Sequence, residues 1–330
     1  MLYAFFKMSP KAKQEKLEYN PLVYDIGQYK PQESNEPYWK DVGNEKEIFR
    51  TSFMIQRPLV IKGPTGTGKT TFTRRMHWEL AQELKNEQYV PKYTFDHQTG
   101  LYLENQNKKK ESPSFPLYII NGTEDTETIH ILGGINHTGK YIGGPMYHWA
   151  HTGGILLVNE LAEIRADVQT VFHGPLDKDR MITIPDLERI VKLPDHAMMV
   201  GTYNPGYQAK LEPLKISTKQ RLPALEFRYP DPKTEAEIIY NASKVRNKQV
   251  DYETAKKLAD IGASMRGRAE NESILASREG VSTRLLVMAA EMIAYGLDPK
   301  EAAKAAIIQP LANNDKEAEA LEAIVRIHGF

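Results

Sequence analysis

The stretch "RPLVIKGPTGTGKTTFTRRMHWELAQELK" (Arg57–Lys85) decides the fold class. Its first part, Arg57–Gly63, is a short apolar run that ends in glycine, which is typical of a buried parallel strand. In its last part apolar residues recur at a spacing of four, which predicts an amphipathic helix. These residues are Phe72, Met76, Leu80 and Leu84. A strand, a glycine-rich loop and a helix therefore follow one another directly, as they do around a phosphate-binding loop.

The loop "GPTGTGKT" (Gly63–Thr70) fits the pattern G-x-x-x-x-G-K-[ST]. Its glycines let backbone N–H groups turn inward around an anion, and the helix N-terminus adds partial positive charge. We expect Lys69 to reach the β- and γ-phosphates of ATP and the Thr70 hydroxyl to ligate Mg²⁺. An ordinary glycine turn is the alternative, and the strand–loop–helix context disfavours it. The predicted nucleotide-binding residues are Gly63, Pro64, Thr65, Gly66, Thr67, Gly68, Lys69, Thr70 and Thr71.

The composition excludes several classes of protein. Among 330 residues there are 43 Lys+Arg and 43 Asp+Glu, so the net charge is zero, which disfavours a nucleic-acid binder that works through a general basic surface. The absence of cysteine excludes disulfides and thiolate metal sites. No apolar run approaches the roughly 20 residues of a membrane span. The first residues lack the charged-then-apolar order of a signal peptide, so we expect a cytoplasmic protein.

The chain divides into regions that differ in composition and in hydrophobic periodicity. The stretches "PLYIING", "GGILLVNE" and "HAMMVGTYNPG" are further candidates for buried strands. Strands alternating with helices predict an α/β domain, over residues 37–230, with a central parallel sheet flanked by helices. After residue 231 every segment has helical periodicity, which predicts a small all-helical domain over 231–330. Residues 1–36 are polar and predict an N-terminal extension. Residues 88–115 alternate aromatic and polar residues around a turn and predict a hairpin insertion.

The strand "GGILLVNE" ends on Asn159 and Glu160. A nucleotide hydrolase usually has two carboxylates here, one for magnesium and one for the attacking water. Glu160 is therefore the candidate that polarises water, and a surface acid at the end of the strand is the alternative. Asn159, with Thr70, is the candidate that faces the metal, although an amide offers one carbonyl acceptor and no charge. We expect weaker metal retention and slower turnover, with phosphate binding largely preserved.

Several stretches match one family in order and spacing. They are "PYWKDVGNEKEIF", "VIKGPTGTGKTTFTRRMHWEL", "GTEDTETIHILGG", "GGPMYHWAHTGGILLVNELAEIRADVQTVFHGPLDKDRMI", "VGTYNPGYQ", "LKISTKQRLPALEFRYP", "STRLLVMAAEMIAYGLDP" and "AIIQPLANN". Together they resemble the CbbQ/NirQ/NorQ/GvpN branch of MoxR-type AAA+ ATPases, from about residue 37 to about residue 314. The resemblance implies an AAA+ P-loop domain followed by a helical lid domain. Residues 1–36 and the segment near 88–115 look like additions to the family pattern.

The resemblance also implies roles for three polar residues. Asn204 resembles the sensor-1 residue between the γ-phosphate and the attacking water, and an Asn-Pro-Gly turn is the alternative. Arg221 resembles the arginine finger that is supplied to the neighbouring subunit's nucleotide, and a surface ion pair is the alternative. Arg284 resembles sensor 2, which closes over the phosphates, and a helix-surface arginine is the alternative.

Several positions depart from the family's pattern. Asn159 replaces its usual aspartate, and Lys219 stands where many relatives have a second arginine. A lysine keeps the charge but not the planar fork, so we assign Lys219 no catalytic role. His130 stands near a usual aspartate, and Asn313 and Asn314 stand where relatives often have two. Asn159, His130, Asn313 and Asn314 therefore remove negatively charged side chains that the family often has at these positions.

The family's assembly and partners are further expectations. A finger acting in trans requires a head-to-tail ring, usually a hexamer in this family. Relatives act with a partner that carries a von Willebrand factor A domain. The segment "INHTGKYIGG" looks like the loop inserted in helix 2 of these ATPases, and Tyr141 with Ile142 are candidates to grip a client in the pore. Packing of Tyr141 against a neighbour is the alternative. His148 and His151, at i and i+3, are expected to pack rather than to bind metal.

Two functions follow. The first is an ATP-driven remodelling chaperone that activates or matures a client metalloenzyme or assembly. The second is a nucleotide-gated assembly or scaffold protein with little or no ATP turnover, which Asn159 favours. Because Glu160, Lys69, Thr70 and Arg221 all remain, a slow but real ATPase is the favoured interpretation. A DNA-acting motor is disfavoured by the neutral charge.

Overall fold

The computed structural model describes residues 37–84, 92–96, 98–104, 115–205, 214–271 and 280–330. The predicted N-terminal extension, residues 1–36, lies outside them, as does part of the predicted insertion at 88–115. The strands are β1 (Leu59–Lys62), β2 (Tyr93–Asp96), β3 (Leu101–Glu104), β4 (Leu117–Asn121), β5 (Gly133–Ile135), β6 (Tyr141–Gly143), β7 (Gly154–Asn159), β8 (Met181–Ile184), β9 (Arg189–Lys192), β10 (Ala197–Tyr203) and β11 (Ala224–Glu226). The α-helices are α1 (Glu45–Met54), α2 (Lys69–Leu84), α3 (Thr128–Leu132), α4 (Pro145–Thr152), α5 (His173–Leu176), α6 (Ile216–Lys219), α7 (Pro232–Ala242), α8 (Tyr252–Asn271), α9 (Thr283–Ala294), α10 (Pro299–Ala303), α11 (Gln309–Leu311) and α12 (Asp315–Ile327).

Five strands form the central sheet in the order β11-β1-β10-β7-β4, and all neighbouring pairs are parallel. β7 and β10 are buried along nearly their whole length, which is why their sequences are continuously apolar. The predicted parallel sheet is confirmed. Its fifth strand, β11, has only three residues and carried no periodic signal in the sequence. Because the strands are parallel, their carboxyl ends meet at one edge.

Helices cover both faces of the sheet. Alternate residues of β7 point to opposite sides, so Ile155 and Leu157 join one apolar cluster and Leu156 and Val158 join another. The first cluster is completed by α1 and α2, through residues such as Phe49, Phe72 and Met76. The second is completed by the segment from α3 to β9, through residues such as Trp149, Phe172 and Ile182. The arrangement is a three-layer α/β domain.

A β-hairpin made of β5 and β6 separates α3 from α4, where the sequence had indicated an inserted loop. Tyr141 of β6 is 4% exposed, packs on Tyr147 and donates its hydroxyl to the Leu132 carbonyl at 2.8 Å. The prediction that Tyr141 grips a client is therefore wrong, because its ring is part of the domain's own core. Packing against a neighbour, the alternative, is confirmed. Ile142 is half-buried and stays a candidate.

A second hairpin, β2–β3, packs on α4 through aromatic rings. Tyr102 stacks on His151 with ring centroids 4.3 Å apart, and its hydroxyl lies 3.2 Å from His148 Nδ1. Burial lowers the pKa of each histidine to about 4. The described residues contain no group of three or more His, Cys, Asp or Glu side chains able to hold a metal. Packing of this histidine pair, as predicted, is confirmed.

The C-terminal region, from α7 to α12, is helical. Within its described part, an isolated bridge between Val245 and Lys248 is the only β-type pairing outside the named strands. Its core includes Ile239, Leu258 and Leu286. This agrees with the expected helical lid, while the predicted domain boundaries stay predictions. In the part of the chain that the structure describes, no helix combines the length and apolar character needed to cross a membrane.

Two of the departures from the family's pattern lie at helix N-termini. The Asn314 side chain accepts from the Glu317 N–H and caps α12. His130 Nδ1 accepts from the Glu127 N–H at 3.1 Å and completes a capping box on α3. Each side chain satisfies a backbone group that a helix end leaves unpaired, so a local structural role accounts for both.

Candidate nucleotide-binding site

The phosphate loop lies between β1 and the N-terminus of the 16-residue helix α2. Gly66 and Gly68 have φ angles of +75° and +88°, which residues other than glycine rarely adopt. A Cβ atom on Gly66 would lie 2.5 Å from Ser282 Cβ, and one on Gly68 would lie 2.9 Å from the Trp39 ring. Conformation and close packing therefore both require glycine. The loop's backbone N–H groups and the helix N-terminus favour an anion.

Lys69 lies inside the loop. Its side chain is buried, and Nζ donates to the carbonyls of Gly63 at 2.8 Å and Pro64 at 2.9 Å. An ammonium group in this position can exchange these neutral acceptors for phosphate oxygens, which form stronger charge-assisted hydrogen bonds. The geometry fits the role predicted for this lysine.

Thr70, the second residue of α2, meets the end of β7. Its hydroxyl donates to Asn159 Oδ1 at 3.0 Å, and the Thr202 hydroxyl approaches the same oxygen at 3.5 Å. The Asn159 Nδ2 group donates to Asn121 Oδ1 at 2.9 Å. Two neutral oxygens, from Thr70 and Asn159, therefore converge at the edge of the sheet. Mg²⁺ in nucleotide sites is usually held by a Ser/Thr hydroxyl and a carboxylate, and phosphates and waters complete its shell. Here the hydroxyl is present and a neutral amide oxygen replaces the carboxylate, so the donor set fits the ion with weaker binding.

Glu160 follows Asn159 in a left-handed conformation, with φ 50° and ψ 48°. Its N–H donates to Thr202 Oγ1 at 3.2 Å. Left-handed backbone costs a non-glycine residue on the order of 1 kcal/mol and is concentrated at functional sites. The neighbouring chain at the end of β4 also constrains this turn, because a Cβ on Gly122 would lie 2.6 Å from the Glu160 carbonyl oxygen. The turn places a carboxylate residue directly beside the Thr70–Asn159 pair.

Asn204 and the lid approach the loop from two other directions. Asn204, just after β10, is buried and donates Nδ2 to Thr65 Oγ1 at 3.1 Å. Helix α9 of the lid begins at Thr283, and an added Cβ on Gly66 would also lie 3.5 Å from Arg284 Cβ. The Arg284 residue is exposed. The predicted sensor residues are therefore both at the phosphate loop.

A cavity of about 810 Å³ opens beside the loop. Its walls come from the segment 38–45, the loop, the stretch around the end of β11, and α7 and α9 of the lid. Arg284 is among its lining residues. Trp39 closes one wall by packing on Phe72 and Phe227, with ring centroids 4.9 Å and 5.5 Å away. The volume suits the nucleoside part of a nucleotide. Sequence reasoning missed this wall, because "PYWKDV" shows no periodicity or motif that ties it to the loop.

Arg221 lies elsewhere. Its Nε donates to Asp177 at 2.5 Å, and its NH1 group donates to the Ser217 carbonyl at 2.8 Å. The pair is partly open to solvent, with side chains 33% and 47% exposed. The structure thus gathers the other predicted site residues at the phosphate loop and leaves this guanidinium on the α5–α6 side. An in-chain ion pair is compatible both with a finger that acts in trans and with a surface pair.

Comparisons with known proteins give a consistent result. Residues 235–328 match the family described as CbbQ/NirQ/NorQ C-terminal, and residues 108–222 match the AAA domain of the dynein-related subfamily. The denitrification regulatory protein NirQ of Stutzerimonas stutzeri is 30% identical, over 88% of this chain and 92% of that protein. Protein CbbQ of Hydrogenophilus thermoluteolus is 31% identical, over 88% and 94%. The structure of NtrX from Brucella abortus in complex with ADP has a TM-score of 0.50 at 14% identity, covering 90% of this chain and 65% of that one, and supports the fold alone.

Proposed function

Because the chain belongs to the CbbQ/NirQ/NorQ family of MoxR-type AAA+ ATPases, we propose that it uses Mg²⁺-dependent ATP hydrolysis to remodel a client protein. One observation carries the proposal: Thr70 and Asn159 meet at 3.0 Å beside Glu160, with Lys69 inside the adjacent loop. The ATPase activity follows from the family. The metal, the residue roles and the client are the parts that we propose.

Each residue has a distinct task in this mechanism. Mg²⁺ bound with ATP would neutralise charge on the phosphates, and the Thr70 and Asn159 oxygens would hold it. Lys69 exchanges its carbonyl partners for phosphate oxygens. Glu160 orients and polarises the attacking water, and Asn204 fixes that water from the neighbouring strand. The loss of a formal charge at Asn159 slows turnover without removing phosphate binding.

We further propose that the protein forms a homo-oligomeric ring, with six subunits as in the family. Arg221 would then act on the nucleotide of the neighbouring subunit, where a guanidinium stabilises charge on the transferring phosphoryl group. Its partly exposed position supports this role, since a residue acting in trans has to reach the surface. Arg284 closes from the lid of the same subunit.

The client and partner are proposed from the relatives. One relative is named a denitrification regulatory protein. The resemblance of this chain to the family implies a partner with a von Willebrand factor A domain. The β5–β6 hairpin, with Ile142 half-buried on it, is our candidate for client contact. A pull-down of a co-purifying partner with and without ATP would identify such a protein.

ATP hydrolysis across a magnesium titration tests the proposal. We expect measurable turnover in the wild type, and a loss of about 100-fold or more in Glu160→Gln, because that change removes the general base. Asn159→Asp should lower the magnesium concentration for half-maximal rate about tenfold, because it restores an anionic ligand. A wild type that binds ATP but hydrolyses it no faster than Glu160→Gln would refute the motor and leave a nucleotide-gated scaffold.

A further inference from the structure

We propose that Asn121 is a positioning residue for the magnesium site, and that its task is to hold the Asn159 amide with its oxygen toward Thr70. The inference rests on the proposed Mg²⁺–ATP function. Asn121 is the last residue of β4 and lies directly across from Asn159 in the parallel register. Its Oδ1 accepts the Asn159 Nδ2–H group at 2.9 Å, while Asn159 Oδ1 accepts the Thr70 hydroxyl at 3.0 Å.

The need for such a residue follows from the chemistry of an amide. A carboxylate has two equivalent oxygens, so either orientation of its terminal group presents an acceptor to the metal site. An amide has one oxygen and one NH₂ group, and a half-turn would present donor hydrogens to a cation. Asn159 therefore works as a metal-facing residue only in one of its two orientations. An aspartate at this position would have no such requirement.

The surrounding hydroxyls select the same orientation. When the Thr70 oxygen ligates a cation through its lone pair, its proton has to be donated elsewhere, and Asn159 Oδ1 lies 3.0 Å away. Thr202 Oγ1 already accepts the Glu160 N–H, which leaves its own proton available for Asn159 Oδ1 at 3.5 Å. Asn159 Nδ2 then points away from the metal side and needs an acceptor. Asn121 supplies that acceptor.

The predicted effect is an orientation effect on metal affinity. Asn121→Leu keeps the size of the side chain but removes the acceptor. At this exposed position water can still accept from Asn159 Nδ2, but water does not fix the orientation of the amide. Losing one hydrogen bond of ordinary strength should raise the Mg²⁺ concentration for half-maximal binding about fivefold. Asn121→Asp retains an acceptor that cannot turn into a donor and adds a negative charge near the metal site, so its midpoint should not rise above the wild-type value. Asn121→Ala is the second variant if the leucine variant does not fold.

The experiment measures binding rather than turnover. A fluorescent, non-hydrolysable ATP analogue is titrated with Mg²⁺, and its Kd is also measured in EDTA. We expect the Asn121→Leu midpoint to rise about fivefold, with the Kd in EDTA unchanged. In an Asn159→Asp background the same leucine change should shift the midpoint less than about twofold, because either carboxylate oxygen can face Thr70.

The outcomes separate this inference from the function beneath it. Equal shifts in both backgrounds, or no shift in the wild-type background, would overturn the orienting role, since Asn121 would then only hold the end of β4 or do nothing. A midpoint for Asn121→Asp that rises as far as that of Asn121→Leu would overturn it as well. If the unaltered protein binds the analogue equally well with and without Mg²⁺, the proposed metal-dependent function fails, and the positioning role fails with it.

Discussion

The contact between the lid and the phosphate loop can be tested by adding a single methyl group, through Gly66→Ala. Gly66 has φ +75°, and a Cβ there would lie 2.5 Å from Ser282 Cβ and 2.8 Å from Ser282 Oγ. Two costs follow. Left-handed backbone costs an alanine about 1–2 kcal/mol. The clash also has to be relieved by about 1 Å of movement, because carbon atoms pack at about 3.5–4.0 Å.

The movement falls on the start of α9, which also carries Arg284. A displacement of about 1 Å at a catalytic group costs about 100-fold in rate. Since Arg284 is the proposed sensor 2, we expect kcat/KM for ATP to fall by about that factor in Gly66→Ala. Gly139→Ala is the matched control, because Gly139 has φ +78° and no neighbour within 4 Å of an added Cβ. It should lose only the cost of the left-handed backbone, about 1–2 kcal/mol of unfolding free energy, and keep its ATP turnover.

Ser282→Gly supplies the rescue. Glycine at this N-cap removes both clashing atoms and costs only a few tenths of a kcal/mol. The double variant Gly66→Ala/Ser282→Gly should therefore recover most of the lost kcat/KM. If the double variant stays as inactive as Gly66→Ala, the damage lies within the phosphate loop itself. The contact between Gly66 and Ser282 would then have no part in catalysis, which would refute the coupling between lid and loop.

Two further predictions concern other parts of the molecule. Asp177→Asn should lower ATP turnover about tenfold, because it releases the guanidinium of Arg221, the proposed arginine finger, while changing the free energy of unfolding by less than about 1 kcal/mol. The control is Asp167→Asn, which removes the surface pair with Arg165. Equal turnover in the two variants would show that the proposed finger needs no support from Asp177. The pKa values of His148 and His151 lie near 4 in the fold, below the ordinary value of 6.5. The contribution of these two neutral histidines to the free energy of unfolding should therefore be fully present above pH 6.5 and decrease as the pH falls toward 4. Thermal melts should show that the free energy of unfolding falls by about 1 kcal/mol per histidine by pH 5.5. Replacing either histidine with asparagine should make the free energy of unfolding depend less on pH.

The structural features that depend only on residues close together in the sequence were predictable. The strand–loop–helix order around Lys69 depends on neighbouring residues, and the structure reproduces it. The burial of β7 and its polar end at Asn159 could likewise be predicted, because a strand covered on both faces has to be continuously apolar. The four long strands of the sheet were predicted for the same reason. β11 was missed because three residues are too few for a periodic signal.

Features that depend on register or on packing between distant segments were not predictable. Asn121 looks like any polar residue at a strand end, and only the parallel register of β4 and β7 brings it to a side chain 38 residues away. Tyr141 stands in a short glycine-bounded segment, and nothing in that segment indicates which face of the hairpin will be covered. Its burial depends on Tyr147 of a separate helix. The apolar wall at Trp39 is a third example, since its partners are Phe72 of α2 and Phe227, the residue that follows β11.

The lid is joined to the phosphate loop by a second route, which passes through a buried ion pair. Glu235 of α7 is fully buried, bonds to the Arg266 guanidinium, and accepts the Thr283 hydroxyl at 2.7 Å. Arg266 also lies 4.6 Å over the Tyr229 ring, and the Tyr229 hydroxyl donates to the Thr65 carbonyl at 2.8 Å. A buried pair that loses one partner costs several kcal/mol, so Glu235 and Arg266 are expected to stay paired when the lid moves. Because Thr65 belongs to the phosphate loop and Thr283 begins α9, we expect a nucleotide that reshapes the loop to act on the lid through both sets of contacts.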